Sequence, residues 1–246
     1  MESVAVIPAR YQSQRFPGKP LAGIAGYPMI QHVYRRVARV KDLDRVIVAT
    51  DDRRIYETVK GFGGEVVMTS VEHRSGTDRI AEVALGLSAD VIVNVQGDEP
   101  LIKPGMVSAA IQPFYGDDSL KMSTLKKEIA DSSELEDPNV VKVVCDREGN
   151  ALYFSRSLLP YSRGQRPTYF KHIGLYVYDR QFLLEYSQMQ PTPLEKTERL
   201  EQLRVLENGY RIKVIETEED SIGVDTPEDV QKVEQRLKKM EMLEDG

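Results

Sequence analysis

The chain of 246 residues has a single cysteine, Cys145. One cysteine excludes a disulfide framework and a cysteine-only zinc site. Cys145 ends the strand-like run 140–145 and reads as a small buried residue. Histidine is scarce as well: there are three, with no pair at metal-binding spacing, which leaves a zinc site without ligands. No segment approaches the roughly 18 apolar residues of a membrane span. Met1, Glu2 and Ser3 lead straight into Val4–Ile7, followed by Pro8 and Arg10, with no apolar region of an export signal. Together these features predict a cytoplasmic protein without membrane insertion. Positive charge is not in excess either: 33 Lys and Arg stand against 39 Asp and Glu, a net charge of −6. A general nucleic-acid binder would more often carry a basic face, so nucleic acid is not an expected partner. What is present is 41% hydrophobic and 29% charged, the composition of a globular chain with a sizeable core. The length fits one large domain with an elaboration.

The first half alternates strand and helix signals. Val4–Ile7, Val46–Ala49, Val66–Met68 and Val91–Val95 are short apolar runs, the pattern of strands buried on both faces. Between them, Met29, Ile30, Val33, Tyr34 and Val37 recur at helical spacing, as do Ile55, Val59 and Phe62, and then Ile80, Val83, Ala84 and Leu87. Asp51 or Asp52 can cap the second of these helices, and Gly63-Gly64 ends it. Such alternation predicts an α/β fold: a mostly parallel sheet with helices on both faces, Rossmann-like in architecture. From about residue 120 the strand signals (140–145, 151–154, 172–178) come with fewer helices. The stretch 120–190 therefore reads as an inserted, partly antiparallel subdomain within a single domain of 1–246. One helix is predicted over 198–208, with Leu200, Leu203 and Leu206 inward and Glu198, Glu201 and Gln202 as a polar stripe, most simply facing solvent. Thr226, Pro227 and Asp229 mark the start of a closing helix with cap, proline and first-turn acid.

In parallel sheets, ligands sit beyond the carboxyl ends of the strands. Two such segments carry unusual chemistry. The loop after the first strand holds Arg10, Arg15 and Lys19, with Gly18 able to let backbone approach a phosphate closely. It matches neither G-x-x-x-x-G-K-[ST] nor G-x-G-x-x-G, and a solvated loop would also satisfy it. After the fourth strand, Gln96-Gly97-Asp98-Glu99 places an acid where it could hold a divalent cation beside a triphosphate, or simply turn the chain. Asp225 could be a second metal acid, or an acid favoured by the following helix N-terminus. Ser75 or Thr77 can cap the helix that carries Arg79, and that helix end could receive an anion.

The ordered set of motifs resembles one family, the 3-deoxy-D-manno-octulosonate (Kdo) cytidylyltransferases, or CMP-Kdo synthetases. The resemblance rests on the loop 7–20, Val46–Asp51, His73–Arg79, Val93–Pro100, Ala151–Arg156, His172–Tyr176, Leu200–Arg204 and Gly223–Asp229. It spans residues 4 to 233, nearly the whole chain. It implies transfer of CMP from CTP to the anomeric hydroxyl of Kdo, releasing pyrophosphate, for lipopolysaccharide biosynthesis. It also implies a nucleotide-diphospho-sugar transferase-like fold, a homodimer formed through the subdomain, and magnesium, two ions in the two-metal manner. By the same resemblance, Asp98 and Asp225 are the metal acids, and with Arg15 and Lys19 the catalytic set. Arg10, Arg15, Lys19, Ser75, Arg79 and Gln96 would bind CTP. Arg156, His172, Tyr176, Glu201 and Gln202 would bind Kdo, which turns Glu201 and Gln202 from solvent toward ligand. The segment 160–171 is shorter than in some relatives, and Phe16 replaces one apolar residue by another.

Three other readings compete. A cytidylyltransferase for a related acid sugar, such as 8-amino-Kdo or a sialic acid, would keep the mechanism. A non-catalytic nucleotide-binding protein on this fold would lack a metal acid or loop cation, yet Arg15, Lys19, Asp98 and Asp225 are all present. A glycosyltransferase would need an acid-x-acid motif, and Gln96 stands at the first acid's place.

Overall fold

The computed structural model describes residues 1–12, 16–73, 75–164 and 167–244, with side chains of the last helix described up to residue 239. Its strands are β1 (Ser3–Ala9), β2 (Gly23–Ile24), β3 (Tyr27–Pro28), β4 (Arg45–Thr50), β5 (Glu65–Met68), β6 (Val91–Asn94), β7 (Met122–Glu128), β8 (Lys142–Cys145), β9 (Ala151–Ser155), β10 (Phe170–Asp179) and β11 (Ile212–Glu216). Its helices are α1 (Met29–Val37), α2 (Arg53–Gly61), α3 (Gly76–Leu85), α4 (Pro104–Ile111), α5 (Arg180–Gln188), α6 (Pro193–Glu198), α7 (Gln202–Glu207) and α8 (Pro227–Glu244).

The main sheet runs β11-β7-β10-β6-β1-β4-β5. Only β10 is antiparallel to its neighbours in this order, pairing with β6 on one side and β7 on the other. The alternation of side chains along a strand divides the apolar residues between two cores. Ala5, Ile7 and Ala9 of β1, Val46 and Val48 of β4, and Val91 and Val93 of β6 point to one face, under α1, α2 and α4. Val4, Val6, Ile47, Ala49 and Ile92 point to the other, under α3, α5 and α7. This is why the central strands read as unbroken apolar runs: each face carries its own layer of helices.

The stretch 120–190 is less separate than its sequence suggests. β7 and β10 lie within the main sheet, and only the hairpin β8–β9 stands off its path, joined through the pairing of Lys171 with Lys142. The predicted helix over 198–208 is corrected to two short helices, α6 and α7, because Arg199 adopts a left-handed conformation (φ 55°, ψ 49°) that ends α6. No helix among the described residues is long and apolar enough to cross a membrane.

A third, smaller cluster matters for function. Ile24, Met29, Leu101, Val224, Val233 and Leu237 are buried together, with Phe16 packed against them. It binds the start of α8 to the loop that follows β1.

Candidate active site

The parallel strands β6, β1 and β4 end side by side, and the segments that leave them converge. The loop after β1 closes on itself: the Gly18 N–H donates to the Tyr11 carbonyl at 2.8 Å, and Gly18 sits at φ 72°. A side chain there would be strained by the backbone and would meet the Tyr11 ring at 3.0 Å. The next residue, Lys19, begins a single helical turn aimed at the end of β6. Gly97 has no room for a Cβ, which would lie 2.7 Å from the Pro8 carbonyl oxygen. Glycine thus lets the segment after β6 press against the end of β1 and delivers Asp98.

Lys19 Nζ donates to Asp98 Oδ2 at 2.6 Å and lies 3.3 Å from Asp225 Oδ1. Three residues separated by up to 206 positions therefore meet at one ammonium. Asp225 is placed by two devices. The Val224 N–H donates to the Asp98 carbonyl at 2.9 Å while its side chain enters the third cluster. Capping of α8 falls to Asp229, whose carboxylate accepts from the N–H groups of Asp225 and Thr226. Those bonds and the Lys232 ammonium hold the Asp229 carboxyl down at about 2. Asp225 is thereby spared the capping role and directs its carboxylate to Lys19.

Two carboxylates side by side, each partly open to solvent (34% and 49%), form a hard oxygen donor set. That set fits magnesium, which takes one or two carboxylates and completes its shell with phosphate and water. No group of three or more acid, histidine or cysteine side chains suited to a metal occurs among the described residues, so such an ion would depend on the nucleotide. Desolvation, with the neighbouring Asp98 charge, raises the carboxyl of the partly buried Glu99 to about 7.

Beside this triad is a cavity of about 240 Å³. Asn94 and Gln96 at the end of β6 and Thr77 on α3 line one side; Tyr176 of β10 and the turn between α6 and α7 line the other. The register that pairs Tyr176 with Asn94 brings β10 to this place. Gln96 donates to the Gly174 carbonyl at 3.3 Å. Thr77 donates to Glu201 Oε2 at 2.8 Å and so ties the two halves of the chain. Burial raises the Glu201 carboxyl and the Tyr176 phenol above their usual ranges. The Tyr176 hydroxyl donates to Gln202 Oε1 at 3.3 Å, whereas the buried Gln202 Nε2 has no partner. A polar donor left unpaired at a cavity wall is poised for a ligand acceptor.

His172 lies next to Tyr176, its ring 4.9 Å edge-on from Phe154. The one proton of the Thr124 hydroxyl faces the carbonyls of Ile173 and Leu175, so its oxygen accepts from His172 Nε2 at 2.9 Å and leaves Nδ1 as an acceptor. Burial drives the imidazole down to about 3, so it is neutral at physiological pH.

Three predicted ligand contacts have their side chains committed to other protein groups. Arg79 is 2% exposed and donates to Asp51 Oδ2 at 2.7 Å, to Thr69 and to the Ser70 carbonyl. It thus clamps the ends of β4 and β5 beneath α3, whereas the family resemblance places it among the CTP contacts. The Ser75 hydroxyl is committed to a capping box with Asp78. Arg156 donates to the carbonyls of Glu198 and Pro138, both at 2.8 Å, and does not line the cavity. Glu198, expected on the same stripe as Glu201, turns away to accept from Ser155 Oγ at 2.6 Å. Arg10 is exposed just past β1. Arg15 lies outside the described residues. Sequence reasoning missed Thr77, Asn94 and Arg199 as cavity residues. Thr77 was visible only as a possible cap, and nothing local marks the other two.

The chain matches the family model described as Cytidylyltransferase over residues 4–215. It is 57% identical to the 3-deoxy-manno-octulosonate cytidylyltransferase of Trichlorobacter lovleyi, over 97% of this chain and 99% of that one. With the enzyme of the same name from Geobacter metallireducens it shares 56% identity, over 98% and 100%. Among solved structures it is similar to a CMP:2-keto-3-deoxy-manno-octonic acid synthetase complexed with CTP, at TM-score 0.94 and 44% identity, covering 98% of this chain and all of that one. A 4-diphosphocytidyl-2C-methyl-D-erythritol synthase from Anaerococcus prevotii shares the fold alone, at TM-score 0.64 and 14% identity over 96% and 99%.

Proposed function

The chain belongs to the 3-deoxy-manno-octulosonate cytidylyltransferase family, and from that premise we propose how its residues carry the reaction. The enzyme converts CTP and Kdo to CMP-Kdo and pyrophosphate. The Kdo C2 hydroxyl gives its proton to solvent as its oxygen forms a bond to the α-phosphorus of CTP, and the bond from that phosphorus to the bridging oxygen breaks. The electron pair leaves with pyrophosphate. The observation that supports this assignment best is the meeting of Lys19, Asp98 and Asp225 beside a polar cavity at the ends of β6 and β1.

Negative charge grows on pyrophosphate as it departs. Fixed cations aimed at it lower the barrier, since their orientation needs no rearrangement during the step. Lys19 supplies one, held by its two carboxylates, and the family resemblance assigns the same charge role to Arg10 and Arg15. Asp98 and Asp225 would hold magnesium, which when bound supplies charge neutralisation of the triphosphate and lowers the pKa of a coordinated hydroxyl. Ser75, through the start of α3, and Gln96 serve the nucleotide. Arg79 acts at one remove by fixing α3.

On the sugar side, Glu201, Gln202, Tyr176 and His172 offer acceptors and donors to a polyhydroxylated acid. A wrong sugar leaves such buried groups unpaired, which is how polar pockets reject it. Arg156 braces the α6–α7 junction through the Glu198 carbonyl. A homodimer, a cytoplasmic location and supply of CMP-Kdo to lipopolysaccharide complete the proposal.

The test is product identification. Incubation with CTP, magnesium and Kdo yields a species of CMP-Kdo mass. Production of a sugar nucleotide only from 8-amino-Kdo would transfer the protein to the related acid-sugar reading. Absence of any sugar nucleotide would support a non-catalytic nucleotide binder.

A further inference from the structure

One residue at the cavity has both an unusual backbone and an uncommitted charge. Arg199 lines the cavity between α6 and α7, is exposed, and holds φ 55°, ψ 49°. Left-handed backbone at a helix end is usually given to glycine or asparagine. The surroundings enforce it here. The Arg199 and Leu200 N–H groups both donate to the Glu195 carbonyl, and Leu200 is buried in the core. Arg204 of α7 grips the Glu195 carboxylate of α6 through two nitrogens, and the Tyr186 hydroxyl donates to the Glu201 carbonyl at 2.7 Å. Strain that persists under such constraint points to a use for the side chain it displays.

That side chain is a free cation. On the elements around the cavity, the guanidinium of Arg79 is paired with Asp51, that of Arg204 with Glu195, and that of Arg180 is bound to the Ala84 carbonyl. The Arg199 guanidinium has no hydrogen bond or ion pair with any described residue. The remaining polar wall of Glu201, Gln202 and Tyr176 suits hydroxyl groups, and Glu201 would repel a carboxylate.

We propose that Arg199 is a specificity-determining residue that reads the carboxylate of the acid sugar at the rim of this cavity. The inference rests on the sugar assignment made above. Guanidinium and carboxylate match as planar forks, a geometry that a lysine or an amide does not reproduce.

The test is steady-state kinetics of Arg199→Gly and Arg199→Lys with CTP and Kdo. Glycine relieves the backbone, so R199G keeps or raises the melting temperature while losing the cation. R199G is expected to raise KM for Kdo on the order of ten- to a hundredfold, the scale of one charge-assisted hydrogen bond. KM for CTP stays unchanged, and R199K recovers part of the loss. With the uncharged methyl ester of Kdo as competitor, wild type and R199G should be inhibited alike. An unchanged KM for Kdo, or a rise confined to KM for CTP, would overturn the inference while the reaction itself stands. No turnover of CTP and Kdo by the wild type would remove the sugar assignment and this inference with it.

Discussion

Lys19 faces two carboxylates at once, and this decides what its loss should do. Lys19→Ala leaves Asp98 and Asp225 repelling each other and removes a charge from the leaving group. The expected result is a kcat lower by on the order of 10²–10³, the scale of one lost transition-state contact. Pyrophosphate release at saturating CTP and Kdo measures it, and an unchanged kcat would take Lys19 out of the chemistry. Asp98→Ala and Asp225→Ala should each abolish turnover while the far-ultraviolet circular dichroism stays native. A near-normal rate in either variant would remove that acid from the site. His172 gives a pH prediction whose sign follows from its depressed value of about 3. An unfolded imidazole takes up a proton near pH 6.5, but the folded one does not. The unfolded state therefore binds more protons as pH falls through that window, and stability drops between pH 6.5 and 3. Urea midpoints of wild type and His172→Gln across this range should diverge, the wild type losing more with acid. Parallel curves would show that the folded imidazole protonates freely.

At the scale of elements, α3 and the ends of β4 and β5 depend on one buried arginine. Arg79→Met should leave the largely buried Asp51 (18% exposed) without its partner. Breaking such a pair costs about 3 kcal/mol. Thermal denaturation checks this, and a loss well below 1 kcal/mol would mean that Asp51 finds water instead. How far these elements could be read in advance depended on how they are buried. β1, β4 and β6 were legible because helices cover both faces and their middles are apolar, whereas β5, at the sheet edge, was legible from its apolar residues although Val67 and Met68 are exposed. β7 was not, because its sequence Met122–Glu128 is mostly polar. Ser123 and Thr124 are nonetheless buried, their hydroxyls satisfied by the carbonyls of Ala110 and Leu175. The break at Arg199 was hidden for another reason: neither glycine nor proline marks it, and the helical spacing of Leu200, Leu203 and Leu206 continues through it. Tertiary contacts of Glu195, Arg204 and Tyr186 impose the turn. Consequently Glu201 and Gln202 were identified through family resemblance, whereas the pattern alone placed them toward solvent.

Over the whole molecule, the nucleotide half and the sugar half share one sheet through the β6–β10 pairing and one core, and at the site specific links join them: Thr77 with Glu201, Gln96 with the Gly174 carbonyl, and the chain before α8 returning Asp225 to the loop after β1. The last of these links depends on the small cluster of Phe16, Met29, Val224, Val233 and Leu237. Leu237→Ala should lower stability by about 2 kcal/mol, and should reduce activity more than a comparable core change far from α8. Equal effects of the two changes on activity would mean that α8 does not position Asp225. The proposed homodimer has a simple check: sedimentation equilibrium should give twice the 27.9 kDa chain mass, and a monomer at enzymatic concentration would refute it. At the whole-molecule scale, one site joins CTP to Kdo. The most direct measurement is the rate of pyrophosphate release with magnesium, crossing CTP, UTP, ATP and GTP against Kdo, 8-amino-Kdo and N-acetylneuraminate. Release should be rapid for CTP with Kdo and slight for every other pair. Release favouring 8-amino-Kdo, or silence with every pair, would contradict it.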